Sequence, residues 1–209
     1  MSGSVPTLTG RQTDFGITGR ETGVRYEGLA VIGSGGMATV QYGRLHGPHG
    51  FVRSVAIKRL HPQFAQDPEF VKMFLDEARL TARLAHANIV ATLDVIDGPG
   101  ELGLVMEYVH GESLWGLLKL SNQYGQQIPV RIAAALAAGV LQGLHAAHEA
   151  RDDLGRPINL VHRDVSPHNI LVGSDGMARL IDFGVAKAVG RLRTTPSGEI
   201  KGKLIYMAP

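Results

Sequence analysis

In the first half of the chain, short runs rich in apolar and β-branched residues are separated by clusters that contain glycine and proline. Such runs are typical of β-strands bounded by turns. The first three runs follow one another with only short turns between them, so we expect an antiparallel meander. The predicted strands are 26–32, 39–45, 51–59, 89–96 and 102–108.

Two longer segments, 69–85 and 129–150, show the spacing of apolar side chains that is typical of an α-helix. Pro68 precedes the first of them, and proline is tolerated in the first turn of a helix. This order favours an α+β fold, in which a sheet-rich lobe with one helix precedes a helical lobe. The expected buried faces are Phe70, Phe74, Leu75, Ala78 and Leu84 in the first helix, and Ile132, Leu136, Val140, Leu144 and His148 in the second.

The N-terminal segment, residues 1–24, has a different composition from the rest of the chain. It is rich in serine, threonine and glycine, and its apolar residues show no period. Such a segment has little to bury, so we expect a disordered tail, with ordered structure beginning at Tyr26. The remaining residues, 25–209, are expected to form the folded domain.

Composition excludes several classes of protein. The 209 residues include 21 Lys and Arg against 19 Asp and Glu, a net charge of +2 that is scattered along the chain and does not indicate nucleic-acid binding. The absence of cysteine excludes disulfides, thiolate metal sites and thiol catalysis. There is no continuous apolar run of membrane-spanning length and no secretory signal, so we expect a cytoplasmic protein with no membrane segment within this chain.

A glycine-rich sequence, Gly-Ser-Gly-Gly-Met-Ala-Thr-Val at 33–40, lies between the first two predicted strands. A glycine-rich hairpin of this kind can lie over phosphate groups and donate backbone N–H groups to them. By itself the sequence also fits an ordinary hairpin turn.

A lysine, Lys58, lies near the end of the third predicted strand, in the sequence Val-Ala-Ile-Lys. Its ammonium needs a partner if the strand is half buried. Glu77 on the first predicted helix could supply that partner and would then direct the lysine towards phosphate oxygens. Taken alone, the two charges would more often be solvated.

Two polar sequences follow in the second half: His-Arg-Asp-Val-Ser-Pro-His-Asn at 162–169, and Asp-Phe-Gly at 182–184. Asp164 and Asn169 could orient a hydroxyl group and hold a metal, and Asp182 could hold a Mg²⁺ ion that bridges two phosphates. Either sequence alone fits a polar turn. All four motifs in this order, on the predicted strands and helices, are much harder to explain as turns.

Together the motifs resemble the signature of protein kinases, and in particular the bacterial, eukaryotic-like serine/threonine kinases of the myxobacterial type. The resemblance covers about 26–209 and corresponds to the first two-thirds of a catalytic domain. It implies a bilobal kinase-like fold with an N-lobe at about 25–108, a hinge at about 107–112 and a partial C-lobe at 113–209. Because the chain ends at the Ala-Pro of the Ala-Pro-Glu motif, an isolated fragment of this length is expected to be inactive.

The resemblance also implies ATP and Mg²⁺ or Mn²⁺ as cofactors. Lys58, held by Glu77, would contact the α- and β-phosphates, and Asp164 would accept the proton of the substrate hydroxyl. Asn169 and Asp182 would be the metal ligands. The other implied nucleotide-binding residues are Ile32, Gly33, Ser34, Gly35, Gly36, Met37, Ala38, Val40, Ala56, Met106, Glu107, Val109 and Leu171, whereas His162 and Phe183 would be packing residues.

The chain departs from the family pattern at two positions that the resemblance places beside Asp164. Serine/threonine kinases usually have lysine where this chain has Ser166, and threonine where it has Lys203. We interpret Ser166 and Lys203 as a swapped pair that keeps one ammonium and one hydroxyl at the catalytic aspartate. The alternative is that Lys203 points into solvent.

A regulatory segment is implied between Asp182 and the end of the chain. In the family, an arginine equivalent to Arg163 pairs with a phosphate on this segment, and Thr194, Thr195 and Ser197 are the candidate acceptors. Glu199 stands where many relatives carry the phosphothreonine. It could pair with Arg163 without phosphorylation, or it could be solvated.

The function that these motifs imply is ATP-dependent transfer of the γ-phosphoryl group to serine or threonine hydroxyls of protein substrates, in signalling. The expected partners are ATP and protein substrates, and a dimer would allow autophosphorylation. The alternative is a nucleotide-binding pseudokinase or inactive fragment that acts as a binding module. Attachment to a membrane through a region beyond this sequence is left open.

Overall fold

The computed structural model describes residues 16–18, 25–98 and 101–183. Its strands are β1 (Gly16–Thr18), β2 (Arg25–Ser34), β3 (Ala38–His46), β4 (Val52–Leu60), β5 (Thr92–Gly98), β6 (Glu101–Glu107), β7 (Gly111–Ser113), β8 (Ile170–Gly173) and β9 (Ala178–Leu180). Its α-helices are α1 (Pro62–Ala65), α2 (Pro68–Thr81), α3 (Leu114–Gln123) and α4 (Val130–His148).

The N-terminal half forms a six-stranded antiparallel sheet in the order β1-β2-β3-β4-β6-β5. All five predicted strands are present, and the meander of the first three is confirmed. The largest shift is in β5, which begins at Thr92 rather than at Ile89. Ile89 and Val90 instead contact Leu180 of the second lobe, with the Val90 N–H donating to the Leu180 carbonyl at 3.0 Å.

Part of the predicted tail is structured. Gly16–Thr18 forms β1 and pairs with Arg25–Glu27 at the start of β2, so the expectation of disorder throughout 1–24 is wrong for these three residues. A strand of this length contains too few residues to show an alternating pattern. Residues 1–15 and 19–24 lie outside the described part of the chain.

Two apolar clusters hold the sheet together. One consists of Tyr26, Val55, Ile57, Ile96 and Val105. The other lies beneath α2 and consists of Leu60, Phe74, Ala78, Leu102 and Leu104. The second cluster packs α2 against Leu60 of β4 and against Leu102 and Leu104 of β6.

Helix α2 is shorter than predicted. It begins after Asp67, whose carboxylate accepts a hydrogen bond from the Glu69 N–H at 2.9 Å, and it ends at Thr81 instead of residue 85. Capping of this kind satisfies one of the otherwise unpaired N–H groups of the first turn. Leu84 is buried as predicted, but it belongs to a cluster with Ile89, Leu160 and others in the second lobe.

The second lobe contains α3, α4 and a small sheet in the order β7-β8-β9. Helix α3, α1 and the three short strands are absent from the sequence predictions. Helix α3 is capped by Ser113, whose hydroxyl accepts from the Gly116 N–H at 3.0 Å. The strands have three or four residues each, which is too short for a periodic signal.

The predicted buried face of α4 is correct at its centre only. Leu136 and Val140 pack with Ile170, Ala178 and Leu180, and Leu144 lies at the edge of this cluster. Ile132, by contrast, is 46% exposed, and His148 is also exposed. Within the described residues, the sheet covers only one side of the helix, so the helical period alone could not show how wide the buried stripe would be.

By length and composition, α4 would also be apolar enough to cross a membrane. In the structure it packs along β9 and belongs to the core of the second lobe. This packing buries Leu136 and Val140, whereas Val130, Ile132 and Leu141 remain exposed.

The segment between α2 and β5 connects the two lobes. The Asn88 side chain donates to the Ala178 carbonyl at 2.7 Å, and the Leu180 N–H donates to the Asn88 carbonyl at 2.8 Å. Glycines on α4 allow this close approach: a Cβ at Gly143 would lie 2.7 Å from the Asn88 carbonyl oxygen. Real Cβ atoms almost never approach a backbone oxygen so closely, because the atoms would overlap.

This contact predicts that Gly143→Ala destabilises the domain, although alanine is the better helix former by about 1 kcal/mol. The added methyl group must displace the Asn88 backbone, and overpacking of this kind costs about 1–3 kcal/mol. Urea unfolding should show a lower midpoint for Gly143→Ala than for the matched change Gln142→Ala, whose side chain is exposed on the same helix. Equal or higher stability would contradict the assigned contact.

Candidate active site

The predicted lysine–glutamate pair is present at the junction between the sheet and α2. Lys58 lies near the end of β4, and its Nζ is 3.6 Å from Glu77 Oε1 and 2.7 Å from Asp182 Oδ1. The Lys58 and Glu77 side chains are 15% and 7% exposed. Two carboxylates from distant parts of the chain therefore meet one ammonium group that is largely removed from water.

The charge of Lys58 depends on these neighbours. Burial alone would lower the pKa of Lys58, but the carboxylates of Asp182 and Glu77 more than compensate and raise it above its usual value. An opposite charge within a few ångströms favours the charged form of a group. The cleft thus contains a fixed positive charge throughout the physiological pH range.

The catalytic-loop candidates Asp164 and Asn169 are in direct contact with each other. Asn169 Nδ2 donates to Asp164 Oδ2 at 2.7 Å and to the Asp164 carbonyl at 2.8 Å, and both residues are buried. The orientation of the carboxylate is thereby fixed. Because the amide nitrogen of Asn169 faces Asp164, the amide oxygen of Asn169 points away from Asp164.

His162 and Phe183 are packing residues, as expected. Their exposed fractions are 1% and 2%, and their ring centroids are 4.7 Å apart. His162 Nε2 lies 3.1 Å from the Ile181 carbonyl, and the Ile181 N–H donates to the Asn169 carbonyl at 3.0 Å. These bonds tie the loop that carries Asp164 to the segment that carries Asp182.

Two residues of this region have an unusual backbone conformation. Arg163 and Asp182 have φ values of 62° and 55°, in the left-handed region that non-glycine residues rarely occupy. Such strain persists only where the surrounding contacts enforce it, and it is concentrated at functional sites. Arg163 directly precedes Asp164, and Asp182 itself has a positive φ. The unusual backbone conformation therefore affects the directions in which the Asp164 and Asp182 side chains point.

The glycine-rich sequence forms the predicted turn between β2 and β3. The Gly35 N–H donates to the Ala38 carbonyl at 2.9 Å, which closes the turn. A side chain added at Gly36 would meet no described atom within 4 Å, so the outer surface of the turn is open. Of the other predicted residues, Ile32, Gly33 and Ser34 end β2, Met37 lies in the turn, and Ala38 begins β3.

The residues predicted to surround the adenine come from both lobes. Ala56 on β4 pairs with Met106 on β6, and Val40 on β3 pairs with Lys58. Glu107 ends β6, Val109 lies in the 108–110 linker between β6 and β7, and Leu171 lies on β8 of the second lobe. The Glu107 N–H donates to the Ala91 carbonyl at 2.9 Å and is therefore already engaged within the protein.

Ser166 is the other described residue of the catalytic set. It is 3% exposed, and its Oγ has no hydrogen-bond partner among the described residues. The predicted partner Lys203 lies outside the described residues. The same applies to the regulatory candidates Thr194, Thr195, Ser197 and Glu199, so the structure describes only Arg163 of that set.

The donor atoms suit a hard divalent cation. Asp182 offers carboxylate oxygen and Asn169 offers amide oxygen, and Mg²⁺ is usually held by one or two protein oxygen ligands together with phosphate and water. In the described part of the chain, no group of three or more His, Asp or Glu side chains could form a complete cage by itself. The site therefore fits a metal ion whose remaining ligands are phosphate oxygens and water.

The fold also brings together an aromatic pair that no sequence motif indicates. Trp115 on α3 stacks on His168 of the catalytic loop, with ring centroids 4.6 Å apart and an interplanar angle of 25°. Both side chains are exposed. Neither residue belongs to a motif by itself, and only the fold brings α3 to this loop.

Comparison with known families identifies the class of protein. The protein kinase domain matches residues 26–209, which is most of the chain, so the chain belongs to the protein kinase family. This family uses ATP and a divalent metal in general. The resemblance stated from the motifs is confirmed, as is the kinase-like α+β fold.

The most informative relatives are bacterial. The chain is 42% identical to the tyrosine-protein kinase MasK of Myxococcus xanthus over 85% of this chain and 28% of that protein. It is 37% identical to the serine/threonine-protein kinase PknA of Mycobacterium tuberculosis over 88% of this chain and 41% of that protein. The sequence thus spans well under half the length of these relatives.

A solved structure agrees with the fold. The PknI kinase domain of Mycobacterium tuberculosis superimposes with a TM-score of 0.61 at 30% identity, over 77% of this chain and 58% of that chain. The superposition supports the arrangement of an antiparallel sheet followed by a helical lobe.

The burial of His162 predicts a dependence of stability on pH. Burial lowers its pKa below the ordinary value of 6.5. The unfolded chain then binds more protons than the native one, so this residue makes the free energy of unfolding fall as the pH drops below about 6.5. Urea unfolding between pH 7 and pH 5 should show a smaller loss for His162→Gln than for the parent chain. An identical loss would contradict this assignment.

Proposed function

We propose that this chain is the ATP-binding and catalytic part of a kinase that transfers the γ-phosphoryl group of ATP to serine or threonine hydroxyls of protein substrates, in signalling. The observation that carries the proposal is the convergence of Glu77 and Asp182 on Lys58, beside a catalytic loop in which Asn169 fixes Asp164. The retention of all five polar groups argues against a pseudokinase, which usually lacks one of them.

Each group has a distinct task in this proposal. Lys58 exchanges its contact with Asp182 for phosphate oxygens of ATP while Glu77 keeps it in place. Asp182 and Asn169 would hold Mg²⁺ or Mn²⁺, and the ion would supply positive charge to neutralise the phosphates. Asp164 accepts a hydrogen bond from the substrate hydroxyl, orients it and receives its proton. Catalysis of phosphoryl transfer depends mostly on such positioning and charge stabilisation.

The class of acceptor has a second candidate. PknA is named a serine/threonine kinase, whereas MasK, with 42% identity, is named a tyrosine kinase. The usual serine/threonine-kinase lysine two residues after the catalytic aspartate is replaced by Ser166. We favour serine and threonine because three further bacterial relatives, at 32–36% identity, carry the names of serine/threonine kinases.

The proposal is tested with the full-length protein, radiolabelled ATP and acid hydrolysis of the labelled products. We expect label on phosphoserine or phosphothreonine in the parent protein. Asp164→Asn should reduce turnover by about three orders of magnitude or more but leave ATP binding, because it removes the proton acceptor and keeps the shape. The exposed Asp153→Asn should change neither property.

Three results would contradict the proposal. Label found only on phosphotyrosine would establish the second candidate. Full turnover in Asp164→Asn would show that the catalytic loop is assigned incorrectly. Nucleotide binding without any transfer in the parent protein, with activators and divalent metal present, would support the pseudokinase alternative.

We also propose that Lys203 supplies the cation that Ser166 cannot supply beside Asp164. The buried Ser166 hydroxyl, which lacks a partner among the described residues, is compatible with an additional polar group at this point. The argument from charge is independent: a transferring phosphoryl group carries negative charge, and an ammonium close to it stabilises the transition state. Lysine is long and flexible enough to reach from either wall of the cleft.

A double-mutant cycle in the full-length protein tests this pair. Lys203→Thr should lower turnover at least tenfold, and adding Ser166→Lys should restore much of the loss, because the ammonium returns from the opposite wall. Turnover at saturating ATP and protein substrate is the quantity to compare. A neutral effect of Lys203→Thr, or purely additive losses in the double variant, would exclude the swap.

The regulation and location of the protein follow the same proposal. Arg163 would pair either with a phosphate on Thr194, Thr195 or Ser197, or with the carboxylate of Glu199. A dimer would allow one copy to phosphorylate the other. We place the domain in the cytoplasm, where ATP is available.

A further inference from the structure

His61 lies at the junction between the strand that carries Lys58 and the helices that follow it. It comes directly after β4, and its carbonyl accepts hydrogen bonds from the N–H groups of Phe64 and Ala65 at 2.9 and 3.1 Å. These bonds form the first turn of α1. The backbone of His61 is therefore fixed both by the sheet and by the helical segment.

From this fixed point, His61 makes two bonds to the glycine-rich turn. Its N–H donates to the Met37 carbonyl at 2.8 Å, and its Nε2 lies 3.0 Å from the hydroxyl of Thr39. The last ladder pair between the two strands is Ala38 with Leu60. The bonds of His61 thus extend the contact one residue beyond the ladder, to the turn itself.

The other arm of the turn is less regular. The pairing of β2 with β3 shifts between Val31 and Gly33, and Gly36 at the tip has open space around it. The bonds from His61 to Met37 and Thr39 therefore hold the β3 side of the turn, and this side determines the position of the turn over the cleft.

We infer that His61 is a positioning residue for the phosphates of the bound nucleotide. It acts through Thr39 and Met37 and does not touch the nucleotide itself. Because Lys58 lies on β4, three residues before His61, the two bonds fix the position of the glycine-rich turn relative to the strand that carries the ammonium group. This inference rests on the proposed function, since it assumes that phosphates lie between these two elements.

The bond between His61 and Thr39 can form with either tautomer of the ring. In one tautomer Nε2 accepts a hydrogen bond from the Thr39 hydroxyl, and in the other it donates one to the hydroxyl oxygen, because a hydroxyl is both donor and acceptor. The contribution comes from geometry, so a side chain that keeps a polar atom at the same reach should preserve it. Glutamine is such a replacement, and leucine is a similarly sized replacement without the bond.

The test measures the affinity for ATP with divalent metal, and the KM values for ATP and protein substrate, in the full-length protein. His61→Leu and Thr39→Val should each weaken ATP binding about three- to tenfold, which is the range expected for one lost hydrogen bond. The double variant should have the same affinity for ATP as the single variant with the lower affinity, because both changes remove the same bond. The KM for protein substrate should not change.

Conservative variants separate positioning from a general loss of structure. His61→Gln and Thr39→Ser should keep most of the affinity for ATP. The matched control is Ser54→Ala, which removes another side-chain bond between the same two strands, from Ser54 to Tyr42 at 3.1 Å, away from the turn. It should leave ATP affinity unchanged, and thermal unfolding should show that all variants remain folded.

The inference is overturned if His61→Leu binds ATP like the parent protein, if the two losses simply add, or if Ser54→Ala weakens ATP binding equally. A parent protein that binds no ATP would instead contradict the proposed function. Lys58→Met distinguishes the two failures: if it abolishes turnover while His61→Leu has no effect, the cleft is assigned correctly and only the role of His61 is wrong.

Discussion

The ammonium group of Lys58, enclosed between two carboxylates, is the interaction on which the cleft depends. Removing a charge from water is costly unless it is paired, and Lys58 is paired with α2 through Glu77 and with the second lobe through Asp182. One buried cation thereby links sheet, helix and second lobe. In the proposed function the same cation would meet phosphate oxygens of ATP, so the pairing that stabilises the arrangement would also prepare it for a nucleotide.

The second lobe uses neutral hydrogen bonds for the same purpose. Asn88 connects the α2–β5 segment to β9. His162 and Asn169 connect the catalytic loop to Ile181, in the segment that carries Asp182. Because these groups are buried, breaking one of these bonds leaves a polar atom with neither a protein partner nor water, which is costly. The segments that carry Asp164 and Asp182 are therefore held more rigidly than exposed loops are.

The strands and helices with a clear period were predictable from local sequence. Five strands and two helices were found close to their predicted positions because each has a buried face of sufficient length. The short elements, β7 to β9 and α1, have no such period. The start of β5 and the position of Leu84 could not be predicted either, because Ile89, Val90 and Leu84 have their partners in the second lobe.

The sequence by itself determined the family and the identity of the polar groups, because the spacing of the four motifs is a local property of the chain. Tertiary structure alone decided which groups meet: that Asp182 contacts Lys58, that Trp115 stacks on His168, and that His61 contacts Thr39. The partners in these pairs are separated by 22 residues at the closest. Contacts over such separations depend on how the sheet and helices pack, and no local pattern records that packing.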